Sequence, residues 1–377
     1  MGASADTGTD SAGVDSAGVD SAGVDAAETD VVVVGGGQAG LAAGYFLRRA
    51  KARFVVLDDR AEPGGAWGDY WDSLRLFSPA AHSPLPGWWM PEEPGREFPS
   101  ARHVTDYLAE YERRYELPVR RPVAVKEVRR AGDRLEADTT AGTWRARHVI
   151  SATGTWCRPY TPDVPGRELF EGRQLHTVEY RHSEDFAGQR VVVVGGGNSA
   201  AQILAELSEV AHTTWLTRRP PRLMPDDVDG RVLFEVATRR ALGTADGDVG
   251  SLGDIVMVPS VRRARDRGVL KAQPMAERLT RTGVAWADGS ELAADAIVWC
   301  TGFRPVLDHL APLEPFDADG RIPLDGARSL REPRLHLLGY GDWTGPASAT
   351  LIGAGRAAKA AVARIAEDLG TGRSRNR

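Results

Sequence analysis

An α/β fold of two similar parallel-sheet units, the second inserted in the first, is the class this sequence predicts. Three observations predict it. Two stretches match: Val31-Val32-Val33-Val34-Gly35-Gly36-Gly37-Gln38-Ala39-Gly40 and Val191-Val192-Val193-Val194-Gly195-Gly196-Gly197-Asn198-Ser199-Ala200. After each, a meander leads to a strand ending in Thr-Gly, at Thr153-Gly154 and Thr301-Gly302. Beyond residue 330, a further strand and an Ala-rich helix would return the chain to the first unit.

A continuous valine run reads as a strand buried on both faces. Past the first glycine turn, Ala43, Leu47 and Ala50 share one helical face, as do Ile203, Leu207 and Val210 past the second. Strand, tight glycine turn and helix, in that order, give a G-x-G-x-x-G pattern its chemical meaning. Gly35 permits the sharp turn out of the strand, and Gly37 lets a pyrophosphate approach the main chain. Gly40, or Ala200 in the second copy, lets helix and strand pack closely. The free N–H groups and positive dipole end of the helix then face the phosphates. Both units are therefore expected to be Rossmann-like dinucleotide-binding domains, one formed by residues 28–165 and 296–372, the other by 166–295.

In chain order, residues 10–25 repeat Asp-Ser-Ala-Gly-Val three times and are too small and polar to bury a core, so a disordered tail is expected over 1–27. Phe54-Val55-Val56-Leu57 is the second strand, and Asp58 at its end is placed to accept the hydroxyls of an adenosine ribose. Pro63-Gly64-Gly65-Ala66-Trp67 reads either as a loop that approaches a planar ligand, with Trp67 as cover, or as a loop with a packing Trp. Residues 67–99 are rich in Trp, Tyr and Pro and form an irregular wall over a ligand or a well-packed loop. A helix is expected over 101–115, with Val104, Leu108 and Tyr111 on one face. Strands are expected over 123–130, 134–138 and 143–150. The second unit carries an Asp288-Gly289 hairpin signal. A return strand is expected within 331–342 and a closing helix over 348–369. Residues 222–275 receive no role.

The net charge of −5, with Arg interleaved among acids, gives no basic face for nucleic acid. No apolar run is long enough to span a bilayer, and the first residues lack the basic and apolar regions of a signal peptide. A cytoplasmic protein is expected, and a homodimer is compatible with it. Cys157 and Cys300 lie far apart, so neither a disulfide framework nor a dithiol centre is supported. No metal site is expected. In the second unit the strand at Thr213-Thr214-Trp215-Leu216-Thr217 ends not in an acid but in Arg218-Arg219, which suits the 2′-phosphate of NADPH over NADH. Asp58 suits FAD or NAD. A flavin paired with a nicotinamide has a redox rationale, since hydride can pass from one to the other.

Phe170, Gly172, His176 and Tyr180 fit the pattern F-x-G-x-x-x-H-x-x-x-Y just before the second glycine turn. With the order of the two turns, this resembles the flavin-containing (class B) monooxygenases, over nearly all of residues 30–369. Gly64-Gly65-Ala66-Trp67 is similar to that family's G-G-x-W. Cys300-Thr301-Gly302-Phe303 is similar to its A-T-G-Y, with Cys and Phe as departures. Tyr180 stands where Baeyer–Villiger members carry Trp. The Asn of animal members is not evident near Leu76-Phe77-Ser78-Pro79. The texture is most similar to bacterial members associated with arsenic-resistance operons.

The resemblance implies FAD on Gly35, Gly37, Gln38, Ala39, Gly40, Asp58, Gly65, Trp67 and Asp342, with Val125, Ala152, Thr153 and Gly154 completing that set. It implies NADPH on Gly195, Gly197, Asn198, Ser199, Ala200, Arg218, Arg219, Thr301 and Gly302. No catalytic side chain stands out; His176, Tyr180 and Ser78 are the candidates, and the first two serve equally well as hinge residues. The implied reaction reduces FAD with NADPH, adds dioxygen, and transfers oxygen from a flavin 4a-hydroperoxide to a small substrate with a nitrogen, sulfur or arsenic centre. The alternative is a flavin reductase or oxidase that passes electrons to a small acceptor.

Overall fold

Val31 to Val34 are all buried because strands flank them on both sides, helix residues such as Leu41 and Ile365 pack with Val31 and Val33, and Val128, Leu135 and Leu310 pack with Val32 and Val34. In this computed structural model, residues 26–228, 232 and 254–371 are described. Residues 1–25 of the expected tail lie outside them, and Ala27 already belongs to the first strand.

The first sheet collects β1 (Ala27–Val34), β2 (Phe54–Leu57), β3 (Val119–Arg120), β4 (Val125–Ala131), β5 (Arg134–Thr139) and β6 (Gly142–Ser151). β1 lies parallel between β2 and β6, and the β4–β5 hairpin continues antiparallel from β6. The second sheet holds β7 (Arg173–His176), β8 (Arg190–Val194), β9 (His212–Thr217) and β10 (Ala272–Pro274). A small antiparallel sheet comes next, of β11 (Arg278–Thr280), β12 (Gly283–Ala285) and β13 (Glu291–Ala293), with the Asp288-Gly289 turn between the last two.

β14 (Ala296–Trp299) inserts in parallel between β7 and β8. This corrects the expected boundary: residues 296–299 close the second sheet, so the chain leaves it after Trp299 rather than before Ala296. The chain then returns through β15 (Leu324–Asp325), β16 (Arg328–Ser329) and β17 (Leu335–Leu337), and β17 pairs with β6 as the expected return strand.

α1 (Gln38–Arg49) buries Ala43 and Leu47; Ala50 is its C-cap. α2 (Ala101–Arg114) buries Val104, Leu108 and Tyr111 and starts at Ser100, whose Oγ accepts from His103 N. α3 (Asn198–Leu207) buries Ile203 and Leu207, and Val210 lies beyond its end. α4 (Pro259–Asp266) packs beside α3. α5 (Leu351–Leu369) starts at Thr350, whose Oγ1 accepts from Gly353 N.

The wall after Trp67 joins the two units. Trp71 and Leu74 are buried in the core around α3, whereas Leu76, Ala80, Leu85 and Met90 belong to the core around α1.

Two histidines sit in the first core as a neighbouring pair. His148 on β6 and His336 on β17 have ring centroids 5.6 Å apart, and neither His336 nitrogen has a hydrogen-bond partner. Burial pushes their pKa values down, to about 4 and about 3. Both are neutral in the fold, while an unfolded His titrates near 6.5. Their contribution is therefore full above that pH and is lost as pH falls from there toward the folded values. His336→Leu is expected to shrink the stability loss between pH 7 and pH 5 by about 2 kcal/mol, read by urea unfolding. An unchanged loss would show that other groups govern acid lability.

Candidate active site

The strand–helix turn at Gly35 opens onto a cleft of about 290 Å³. Gly35 turns at φ +105°, and a Cβ there would stand 2.5 Å from the Ala152 carbonyl oxygen. Gly37 is different: its nearest neighbour would be Gly65 Cα at 3.9 Å, so the space before it is open. Gly35, Gly37, Gln38, Ala39, Asp58, Gly65, Trp67, Val125, Ala152, Thr153 and Gly154 all line this cleft. Gly40 does not; it packs on the Gly35 carbonyl and sets the helix against the strand. Asp342 is exposed on the helical turn Gly341–Thr344 and lies outside the lining, to which its segment contributes Leu338 and Gly339 instead. Gln38 braces the mouth: its Oε1 accepts from Trp67 Nε1 at 2.9 Å and its Nε2 donates to Ala349 O at 2.6 Å.

Asp58 is buried at the end of β2, and Arg121 holds it through Nε to Oδ2 at 2.8 Å. The same guanidinium reaches Glu112 at 2.8 Å through Nη1. Its Nη2 is buried without a partner and stands 2.9 Å from where a Gly36 Cβ would be. Arg121 is a positioning residue that local sequence does not flag, since Asp58 is 63 positions away in the chain. Arg121→Met leaves a buried carboxylate unpaired and is expected to cost about 3 kcal/mol. Thermal unfolding of the FAD-saturated protein measures this, and the double variant with Asp58→Asn should recover part of it.

The second turn repeats the first. Gly195 turns at φ +136° against the Cys300 carbonyl, as Gly35 does against Ala152, and a Cβ on Gly197 would meet nothing within 4 Å. A cleft of about 540 Å³ is lined by Gly195, Gly197, Arg218, Arg219 and Thr301. Asn198, Ser199, Ala200 and Gly302, expected here, do not line it. Asn198 Oδ1 accepts from Val256 N at 2.9 Å, tying a loop to the start of α3. Ala200 is buried in packing, and the Gly302 carbonyl accepts from Tyr160 N and His176 Nε2. Asp254 also lines the cleft and draws Arg219 to 3.7 Å and Arg222 to 3.2 Å. Arg218 is exposed and makes no ion pair among the described residues.

Aromatic side chains run from one unit to the other. Ring centroids are 5.2 Å apart for Trp67 and Tyr70, 4.2 Å for Tyr70 and Trp156, and 5.2 Å for Trp156 and Phe303. All four line the first cleft, and Phe303 touches His176 edge-on at 5.1 Å. Tyr70 has no hydrogen-bond partner among the described residues, and burial pushes its hydroxyl up to about 12. Sequence reasoning did not single out Tyr70 or Trp156.

His176 is structural in its contacts: Nε2 donates to Gly302 O at 3.1 Å, Nδ1 accepts from Val178 N at 3.4 Å, and burial lowers its pKa. Tyr180 is fully buried between Trp71 and Phe186. Ser78 is buried with its Oγ 2.9 Å from that of Ser83. None of the three lines either cleft.

Both turns fit a dinucleotide. α1 and α3 have no side-chain cap and no acid in their first turn, whereas α2 and α5 are capped by Ser100 and Thr350. Their free N–H groups face open space at Gly37 and Gly197, which is what a pyrophosphate requires.

Residues 32–244 match the family described as pyridine nucleotide-disulphide oxidoreductase. The structure of a flavin-containing monooxygenase from Stenotrophomonas maltophilia superposes with a TM-score of 0.84 at 51% identity, covering 91% of this chain and 99% of that one. The chain belongs to the flavin monooxygenase family. This flavin monooxygenase is also 30% identical to an uncharacterized oxidoreductase, CzcO, of Bacillus subtilis, across 82% of this chain and 93% of that protein. It is 27% identical to indole-3-pyruvate monooxygenase YUCCA8 of Oryza sativa, across 89% and 90% of the two.

FAD and NADPH are the cofactors of this enzyme, which acts with dioxygen on a small molecule. Its two cysteines, Cys157 and Cys300, are unpaired, so it has no dithiol centre of its own. No helix among the described residues is long and apolar enough to cross a membrane.

Proposed function

We propose that this flavin monooxygenase places one oxygen atom of dioxygen on a soft nucleophile, a nitrogen, sulfur or arsenic centre, and does so in the cytoplasm. The observation that supports this is the aromatic end of the first cleft, where no side chain among the described residues is placed to act as a base. Tyr70 keeps its proton. His309, which also lines the cleft, is held by Ser151 at 3.2 Å, and burial drops its pKa to about 4, leaving a weak base. A substrate must therefore bring its own lone pair rather than have a proton removed.

In this reading FAD occupies the first cleft, with its pyrophosphate at Gly35, Gly37, Gln38 and Ala39 and its ribose hydroxyls on Asp58. NADPH occupies the second, with its 2′-phosphate on Arg218. When bound, the pair supplies hydride and activates dioxygen. Trp67, Tyr70, Trp156 and Phe303 exclude water and present apolar faces to the substrate.

Isotopic dioxygen decides the matter. With a thioether, a tertiary amine and a trivalent arsenical as test substrates, labelled oxygen should appear in at least one product, one atom per NADPH. Hydrogen peroxide equal to the NADPH consumed, with no labelled product from any of the three, would favour the reductase or oxidase.

A further inference from the structure

Ser151, Thr153, Tyr340 and His309 form one hydrogen-bonded row beside the first cleft, which Thr153 and His309 line. Ser151 ends β6, Tyr340 lies just past β17, and His309 comes from the helical turn Asp308–Leu313. Ser151 Oγ stands 3.2 Å from His309 Nε2 and 2.8 Å from the Tyr340 hydroxyl. That hydroxyl stands 2.7 Å from Thr153 Oγ1 and accepts from Thr153 N at 3.2 Å. Thr153 Oγ1 in turn lies 2.5 Å from the Val306 carbonyl oxygen. Ser151, His309 and Tyr340 are all buried.

The last contact sets the direction of every other. A carbonyl oxygen only accepts, so Thr153 Oγ1 spends its one proton on Val306. Tyr340 must then donate to Thr153 Oγ1, Ser151 to Tyr340, and His309 Nε2–H to Ser151. Burial drops the His309 pKa to about 4, with Asp308 pulling weakly the other way. The ring is therefore neutral at pH 7 and carries one N–H, which the row assigns to Nε2. Nδ1 is left with a lone pair. It has no hydrogen-bond partner among the described residues, it is not sealed from solvent, and its ring faces the cleft. An acceptor held in a single tautomer at the wall of a cleft calls for a donor on the occupant.

We infer that, with FAD in the first cleft as proposed above, His309 Nδ1 accepts a hydrogen bond from an O–H or N–H group of the cofactor. Tyr340, which does not line the cleft, is the positioning residue that holds His309 in the accepting tautomer. The pyrophosphate has no proton to give at neutral pH; the ribose and ribityl hydroxyls and the N–H groups of the two ring systems do.

Flavin fluorescence titration of the FAD-free protein tests this, with its Tm as the check on folding. His309→Gln keeps a donor where Nε2 stood but loses the acceptor, and should raise the FAD dissociation constant about tenfold. His309→Asn can place its Oδ1 where Nδ1 stood but loses the tie to Ser151, and should stay within about threefold of the parent protein. Tyr340→Phe frees the Ser151 hydroxyl to donate to Nε2, which drives the His309 proton onto Nδ1, and should cost about tenfold from outside the cleft. A loss from His309→Asn with none from His309→Gln would make the row a packing feature alone. Unchanged affinity in both His309→Gln and Tyr340→Phe would remove His309 from the FAD site. Gly37→Ala keeps the two failures apart: if it too retains FAD, the cleft is wrong, and if it loses FAD while these variants keep it, only the His309 contact falls.

Discussion

Gly37→Ala is expected to give a folded protein that no longer retains FAD. The position has φ −79°, which an alanine adopts without strain, and its added Cβ would meet only Gly65 Cα, at 3.9 Å. Nothing in the protein itself resists the methyl group, so the FAD-free Tm should move little. The methyl group instead occupies the space through which a pyrophosphate reaches the uncapped N–H groups of α1. A loss of two charge-assisted hydrogen bonds is about 3 kcal/mol, or roughly a hundredfold in FAD affinity. Gly35→Ala provides the contrast. It adds a Cβ at φ +105° that lies 2.5 Å from the Ala152 carbonyl oxygen, so it should damage the fold as well as the site. The duplicate turn supplies a second contrast. Gly197→Ala should stay yellow, with its FAD bound, yet be reduced by NADPH only at much higher concentrations. Flavin fluorescence titration reads the first effect and anaerobic reduction the second. Retention of FAD by Gly37→Ala with unchanged affinity would remove the first cleft as its site.

Much of this architecture is legible because its signals are local. A four-valine run next to a glycine turn needs no distant partner to be read as a buried strand, and both copies fold that way. The amphipathic helix Ala101–Arg114 is legible for the same reason, through its period and its Ser100 cap. What escaped depends on contacts remote in the chain. Arg121 meets Asp58 across 63 positions, and Arg222 meets Asp254 across 32. β14 reads as the close of a unit from its sequence, but only its pairing with β7 and β8 says which sheet it closes. Asn198 looks like a phosphate ligand by its position at the start of α3, yet its side chain is spent on Val256 N. Gly302, likewise, offers its carbonyl inward to His176. Asp342 has the right residue type near the right strand, but the turn it sits on leaves it exposed.

Arg218→Ala should weaken NADPH and spare NADH. The two neighbouring arginines look equivalent in sequence, but Asp254 separates them. It holds Arg222 at 3.2 Å and draws Arg219 to 3.7 Å, and these guanidinium groups in turn keep the Asp254 carboxyl below the usual carboxylate range. Arg218 lines the same cleft with no such partner among the described residues. It can meet a 2′-phosphate without first giving up an ion pair, whereas Arg219 must exchange one for another. A charge-assisted contact contributes about 1.5–3 kcal/mol, so Arg218→Ala should raise the NADPH dissociation constant roughly tenfold to a hundredfold. Arg219→Ala should cost only a few-fold. The NADH constant should stay the same in both, because NADH lacks the phosphate that this contact reads. Asp254→Asn should release Arg219 and remove a negative charge from the cleft edge, and so should tighten NADPH. The constants come from anaerobic titration of flavin reduction with each nucleotide. Equal weakening of NADPH and NADH by Arg218→Ala, or a larger loss from Arg219→Ala, would mean that the free cation is not the one that reads the phosphate.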